Sequence, residues 1–154
     1  SKRARPANDF GARLLSADGM LRISSTSRWD APTRHIHAID ATPVEGNLFH
    51  TGSERNPWAE VVLAGPSAVK GVLIENGHPN KGVRGRAVPL EVQISEDGKE
   101  WKTVFKDTTV RDVYRVDLTA NAERSRRVRV RRKPGVKEEP LHFTKILVYG
   151  DKLY

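Results

Sequence analysis

The feature that most constrains this chain is a succession of short apolar runs, each three to seven residues long, closed off by Gly, Pro, Asn or Asp, with almost no helical periodicity between them. Runs of that length and spacing read as strands joined by turns, the pattern of an all-β sandwich. The clearest are Leu21 to Ser24, Ala59 to Leu63, Val69 to Ile74, Leu90 to Ile94, Trp101 to Phe105, Tyr114 to Leu118, Val128 to Val130 and Phe143 to Tyr149. In Leu90-Glu91-Val92-Gln93-Ile94 the alternation predicts Leu90, Val92 and Ile94 toward the core, with Glu91 and Gln93 toward water. Arg127-Val128-Arg129-Val130-Arg131 predicts two inward valines and three outward arginines. The Asp97-Gly98 pair predicts a tight hairpin joining Leu90–Ser95 to Trp101–Phe105, because Gly accepts positive φ without steric cost.

A length of 154 residues suits one domain with one core. The expected division is an N-terminal arm and lead-in over 1–20, then the sandwich over 21–154. Ser1 to Asn8 is basic with little to bury, which predicts a loosely held arm. A start at Ser1 rather than Met is expected of a processed or excised module, and a cloning boundary would look the same. No run approaches the roughly 20 apolar residues of a membrane span. The 154 residues include no cysteine, which excludes disulfides, thiol nucleophiles and thiolate metal sites. A formal net charge of +8 points to acidic partners, polyanionic polysaccharide or nucleic acid among them.

The order of several short motifs resembles the discoidin-like family, also called coagulation factor 5/8 type C or galactose-binding-like domains, which includes many bacterial carbohydrate-binding modules. The resemblance runs from about Ile23 to Gly150. It rests on Ser24-Ser25, Ala38-Ile39-Asp40, Phe49-His50-Thr51, Trp58 to Leu63, Ser95-Glu96-Asp97-Gly98-Lys99-Glu100-Trp101, Arg127 to Val130, and Ile146 to Gly150. It implies an antiparallel jelly-roll β-sandwich with a ligand site on loops at one end, and core positions for Trp58 and Trp101. Members bind sugars, lipid headgroups, proteins or DNA, so the individual residues carry the functional argument.

His50, just after Phe49, matches the histidine that sugar-binding members carry, and its ring can donate to or accept from a sugar hydroxyl. Trp29, in the polar loop Ser27 to His35, is placed to stack on a pyranose. The long polar loop Glu75 to Val88 supplies Glu75, Asn76, His78, Asn80, Arg84 and Arg86 as further candidate ligand-binding residues. Relatives place an arginine early in this loop; here Asn76 and His78 stand there, which departs from the galactose-type pattern. The resemblance also implies a structural calcium on an Asp matching Asp40 and on a Glu before the last strand. Lys145 occupies the latter position, and an ammonium cannot ligate a cation, so no cofactor is expected and calcium is disfavoured. His35 and His37 would share a face if extended, but no third metal ligand accompanies them.

No pair of carboxylates is placed for glycoside hydrolysis, and Gly82-Val83-Arg84-Gly85-Arg86 lacks the ending of a phosphate-binding loop. Catalysis is therefore not expected. The expected function is a non-catalytic carbohydrate-binding module of a larger secreted bacterial polysaccharide-degrading enzyme. It would be extracellular or periplasmic and bind a glycan, acidic ones slightly favoured. The alternative is a protein-interaction or nucleic-acid-binding domain of the same fold using the basic segment Arg124, Arg126, Arg127, Arg129, Arg131, Arg132 and Lys133.

Overall fold

A computed structural model describes residues 9–135 and 137–154; the expected loose arm, Ser1 to Asn8, lies outside them. The strands are β1 (Arg13–Leu14), β2 (Met20–Ile23), β3 (Trp58–Glu75), β4 (Leu90–Ser95), β5 (Lys102–Asp107), β6 (Val113–Asp117), β7 (Glu123–Arg132) and β8 (Lys145–Lys152). Every pairing between them is antiparallel, and the architecture matches a galactose-binding-like β-sandwich.

The two expected runs Ala59–Leu63 and Val69–Ile74 belong to one long strand, β3. Its first half pairs with β2 and β7, and its second half with β8 and β6, while β7 resumes its pairing at Ser67 to Val69. The register shifts between Val62 and Ser67, which lets the strand bend and serve both layers. Between the layers lie Leu21, Val61, Leu63, Val72, Ile74, Leu90, Val92, Tyr114, Val128, Val130, Ile146 and Val148, all buried.

The lead-in is structured from residue 9 onward. β1 pairs with β8, and Leu15 is 3% exposed. Phe10 packs with Leu73, Leu147 and Tyr149 on the outer face of that layer. Gly71 makes this possible: a Cβ there would stand 2.4 Å from the Phe10 ring. The predicted hairpin joins β4 to β5. Gly98 has φ 77°, while Ser95 Oγ accepts from the Gly98 N–H at 2.8 Å and Asp97 Oδ1 from the Lys99 N–H at 2.8 Å.

Two expectations about this layer need correction. Glu91 and Gln93 do not face water; each is only 7% exposed. β4 lies between β5 and β7, whose long side chains close over its outer face. Glu91 accepts from Arg131 Nη2 at 2.8 Å, and Gln93 donates to Thr103 at 3.2 Å. Trp58 and Trp101 are not in the core either. They lie half-buried on that outer face with the Arg129 guanidinium between them, 4.8 and 3.9 Å from the ring centroids. A guanidinium over an aromatic face adds about 0.5–2 kcal/mol, a smaller contribution than full burial in the core.

Candidate functional site

Three inter-strand segments meet beside β7. Segments 48–51 and 141–143 run side by side, with Leu48 N–H donating to Phe143 O at 3.4 Å and Thr51 N–H to Leu141 O at 3.0 Å. The loop 76–89 is drawn against them by Arg132, which is fully buried although it belongs to the basic segment offered as an alternative binding face. Arg132 is in phase with the inward Val128 and Val130. Its guanidinium donates to the carbonyls of Arg86 (2.7 Å), Pro140 (3.2 Å), Glu54 (3.3 Å) and Glu139 (2.5 Å). Three segments, around Glu54, Arg86 and Glu139–Pro140, are thus pinned by one side chain whose planar donors fan outward.

Where these segments meet, a cleft of about 470 Å³ is lined by Trp29, Gly46, Asn47, His50, His78, Pro79, Val83 and Arg86. Four of the eight expected ligand residues therefore come together: Trp29, His50, His78 and Arg86. Trp29 is 65% exposed, with the Arg28 guanidinium 4.7 Å from its ring centroid. The loop beneath is held by Asp30, whose Oδ1 accepts from His50 N–H at 2.9 Å and bonds His35 Nε2 at 2.8 Å. The other four sit elsewhere. Asn76 is 1% exposed and braces the loop, donating to Arg84 O and Arg111 O at 3.1 and 3.2 Å. Arg84 donates to His78 O and to Asp112, both at 2.5 Å. Asn80 caps a short helix, α1 (Lys81–Arg84), accepting from Gly82 N–H. Glu75 lines a neighbouring depression.

The two cleft histidines have complementary tautomers. His50 Nδ1 lies 2.9 Å from Thr51 O, which can only accept, and 2.7 Å from Ser27 Oγ, which can accept as well; a proton on Nδ1 satisfies both, whereas a lone pair there would oppose Thr51 O, so the favoured tautomer leaves the lone pair on Nε2. His78 Nδ1 accepts from Asn80 N–H at 3.0 Å, which in the neutral ring puts the proton on Nε2. One ring thus offers an acceptor and the other a donor. Burial pushes the His50 pKa below its usual value, with the Arg86 charge adding to the effect against the opposing bond to Thr51. His50 is accordingly neutral at pH 7.

Behind both rings lies His142, which sequence reasoning missed because nothing in Leu141-His142-Phe143 separates it from an ordinary strand position. It stacks on His50 at 5.0 Å and 16° and meets His78 at 5.6 Å. It is 3% exposed and neither ring nitrogen has a hydrogen-bond partner. Burial, with the charges of Arg86 and Arg132 nearby, pushes its pKa down to about 3.

Residues 37–130 match the family model for F5/8 type C domains described as "NedA-like, galactose-binding domain", more than half of the chain. The chain belongs to this family. No curated protein matches it. Among solved structures it is similar to a fucolectin from striped bass (Morone saxatilis) serum, with TM-score 0.76 and 20% identity over 90% of this chain and 49% of that one. It is also similar to a Streptococcus pneumoniae fucose-binding module, with TM-score 0.72 and 18% identity over 93% of this chain and 99% of that one. A Clostridium perfringens module in complex with GalNAc-β-1,3-galactose gives TM-score 0.70 and 15% identity over 89% of this chain and 99% of that one. These likenesses establish the fold.

In this F5/8 type C domain the residues around Asp40 do not fit a calcium ion. Lys145 is fully buried, and its ammonium donates to His37 O and to Asp40 O (2.7 Å), with Asp40 Oδ1 at 3.6 Å. A hard cation needs those same oxygens and would meet a fixed positive charge. Asp40 also accepts from Thr42 N–H at 3.0 Å and pairs with His37 at 3.1 Å; despite some burial, these bonds hold its carboxyl below the usual range. His35 and His37 lie in a 3-10 turn (Pro32–Ala38) rather than a strand. Among the described residues no group of three or more His, Asp or Glu is arranged to hold a metal.

The outward arginines of β7 are engaged within the domain. Arg127 and Arg129 both bond the buried Glu60, at 2.9 and 3.1 Å, Arg131 bonds Glu91, and Arg124 bonds Glu96 at 2.7 Å. Three carboxylates thus meet these four arginines within the domain.

Proposed function

We propose that the domain is a non-catalytic carbohydrate-binding module that seats a sugar in the cleft of Trp29, His50, His78 and Arg86. The single observation that carries this reading is the juxtaposition of an exposed indole with one imidazole acceptor and one imidazole donor. A pyranose has an apolar face for the first, and each hydroxyl both donates and accepts, as the second and third require. Arg86 adds donors for a ring or hydroxyl oxygen. The sugar-binding names and ligands of the structural neighbours support the same class.

The basic segment was the ground for the nucleic-acid alternative, and with Arg124, Arg127, Arg129 and Arg131 paired and Arg132 buried it weakens. The net charge of +8 still counts toward acidic glycans, whereas the cleft chemistry suits hydroxyl-rich sugars. Attachment to a polysaccharide-degrading enzyme and an extracellular or periplasmic location accord with a module of this kind. No helix among the described residues is long and apolar enough to cross a membrane.

Affinity is expected in the micromolar to millimolar range, about −8 to −4 kcal/mol, for one shallow site. A glycan array probed with the domain and with Trp29→Ala tests the reading. The substitution is expected to lower the strongest signals by about tenfold or more, roughly 1.4 kcal/mol. Retention of all signals in Trp29→Ala sinks the assignment of this cleft. Binding to duplex DNA with a steep salt dependence and no glycan selectivity would instead favour the arginine face.

The lysine at the family's cation position carries a prediction of its own. Binding and melting temperature should be the same in excess EDTA as in millimolar calcium. A calcium-dependent rise of several degrees in Tm would contradict it, because a specific ion stabilises whatever native state it binds.

A further inference from the structure

The cleft has a neighbour on each side. Gly46 and Pro79 on its wall also line a depression of about 450 Å³ with Glu45, Glu75 and Thr144. Val83 and Arg86 on its wall also line another of about 360 Å³ with Asn80, Lys137 and Glu139. These flanking depressions share no lining residue with each other, so the three form a run with the cleft in the middle. Each alone is on the scale of a small-molecule pocket, about 300 Å³ or more.

We infer that the three depressions are one groove for a neutral linear glycan of at least three sugar units, with the central unit over Trp29. This rests on the carbohydrate-binding reading of the cleft and deepens it from a single sugar to a chain passing through. The charges choose the chain. One flank presents Glu45 and Glu75, which would repel a uronate or sulfate there, while Arg86 and Lys137 border the other with Glu139 3.9 Å from Lys137, a net positive balance that disfavours an ammonium. A uniform polyanion or polycation is therefore mismatched at one flank. Neutral hydroxyls donate to carboxylates and accept from guanidinium and ammonium groups, so they suit all three places. Because the cost of immobilising a ligand is met largely once, contacts at the flanks add to affinity more fully than they would for separate molecules.

Calorimetric titration with glucose, galactose and N-acetylglucosamine and their β-linked oligomers of two to four units tests this, with trigalacturonate and the glucosamine trimer as charged counterparts. In at least one neutral series affinity is expected to rise tenfold or more from one unit to three. The neutral trimer should bind more tightly than either charged trimer. Glu45→Ala and Lys137→Ala should each shrink the ratio of trimer to monosaccharide affinity at least threefold. A monosaccharide that binds as tightly as its trimer overturns the groove and leaves the single-sugar cleft standing, as does a charged trimer that binds best. Silence toward every sugar overturns the groove together with the cleft reading on which it rests.

Discussion

Lowering the pH from 7 to 4.5 is expected to destabilise the domain by about 3 kcal/mol through His142 alone. The ring is 3% exposed, lies behind His50 and His78, and is faced by Arg86 and Arg132, with no hydrogen-bond partner on either nitrogen. Its pKa falls from the ordinary 6.5 to about 3 in the fold. The unfolded chain therefore takes up the proton first. The stability contributed by keeping the ring neutral is complete above pH 6.5 and is lost as the pH falls from there toward 3, at about 1.4 kcal/mol per unit. His50, also lowered by burial, adds in the same direction. Urea unfolding at pH 7 and 4.5 on the native domain and on His142→Phe reads this directly, since Phe keeps a stacked ring and removes the titration. The native domain should lose about 3 kcal/mol more than the variant. Equal losses would show that His142 is solvated or charge-paired in the folded state.

Replacing Arg132 is expected to have an effect of similar size at every pH. Arg132→Met keeps an apolar stem of similar length but withdraws donors from the carbonyls of Glu54, Arg86, Glu139 and Pro140. Each buried acceptor left without a partner costs about 1–3 kcal/mol. Some of the four will recover water, so the net loss is about 3–5 kcal/mol, on the scale seen when one member of a buried charged pair is removed. For a domain of this size that lowers Tm by on the order of 10 °C. Arg132→Lys should recover only part of it, because one ammonium cannot reach all four carbonyls. A Tm within two or three degrees of the native value in Arg132→Met would show that the loops hold one another without the guanidinium.

Local chemistry made much of the fold legible. Asp97-Gly98 announces its hairpin, and Leu90, Val92 and Ile94 mark one buried face. The reading failed where a side chain's environment comes from a strand distant in sequence. Glu91 and Gln93 look solvent-facing until β5 and β7 close over them, and Trp58 and Trp101 look like core until Arg129 stands between them. Arg132 was recoverable: the period of two that places Val128 and Val130 inward also places Arg132 inward. At the site, exposed Trp29 and the histidine after Phe49 were readable because their neighbours are polar and turn-rich. Within the loop 76–89, equally polar residues split between lining the cleft and bracing it. That division depends on Arg111 and Asp112 arriving from the loop between β5 and β6 and on Arg132 from β7, and no local pattern encodes it. His142 had no local signal at all.

The central claim is that a sugar seats on Trp29 and not on the outer face of β4 and β7. The three tryptophans distinguish these directly, since Trp29 is in the cleft while Trp58 and Trp101 flank Arg129. Two-dimensional 1H–15N NMR of the indole N–H signals during titration with a neutral trisaccharide, N-acetylglucosamine trimer first and the strongest array hit second, follows all three at once. The account predicts that the Trp29 signal shifts in a saturable way while those of Trp58 and Trp101 stay in place. Shifts at Trp58 and Trp101 with Trp29 unmoved would contradict it and put recognition on the arginine face.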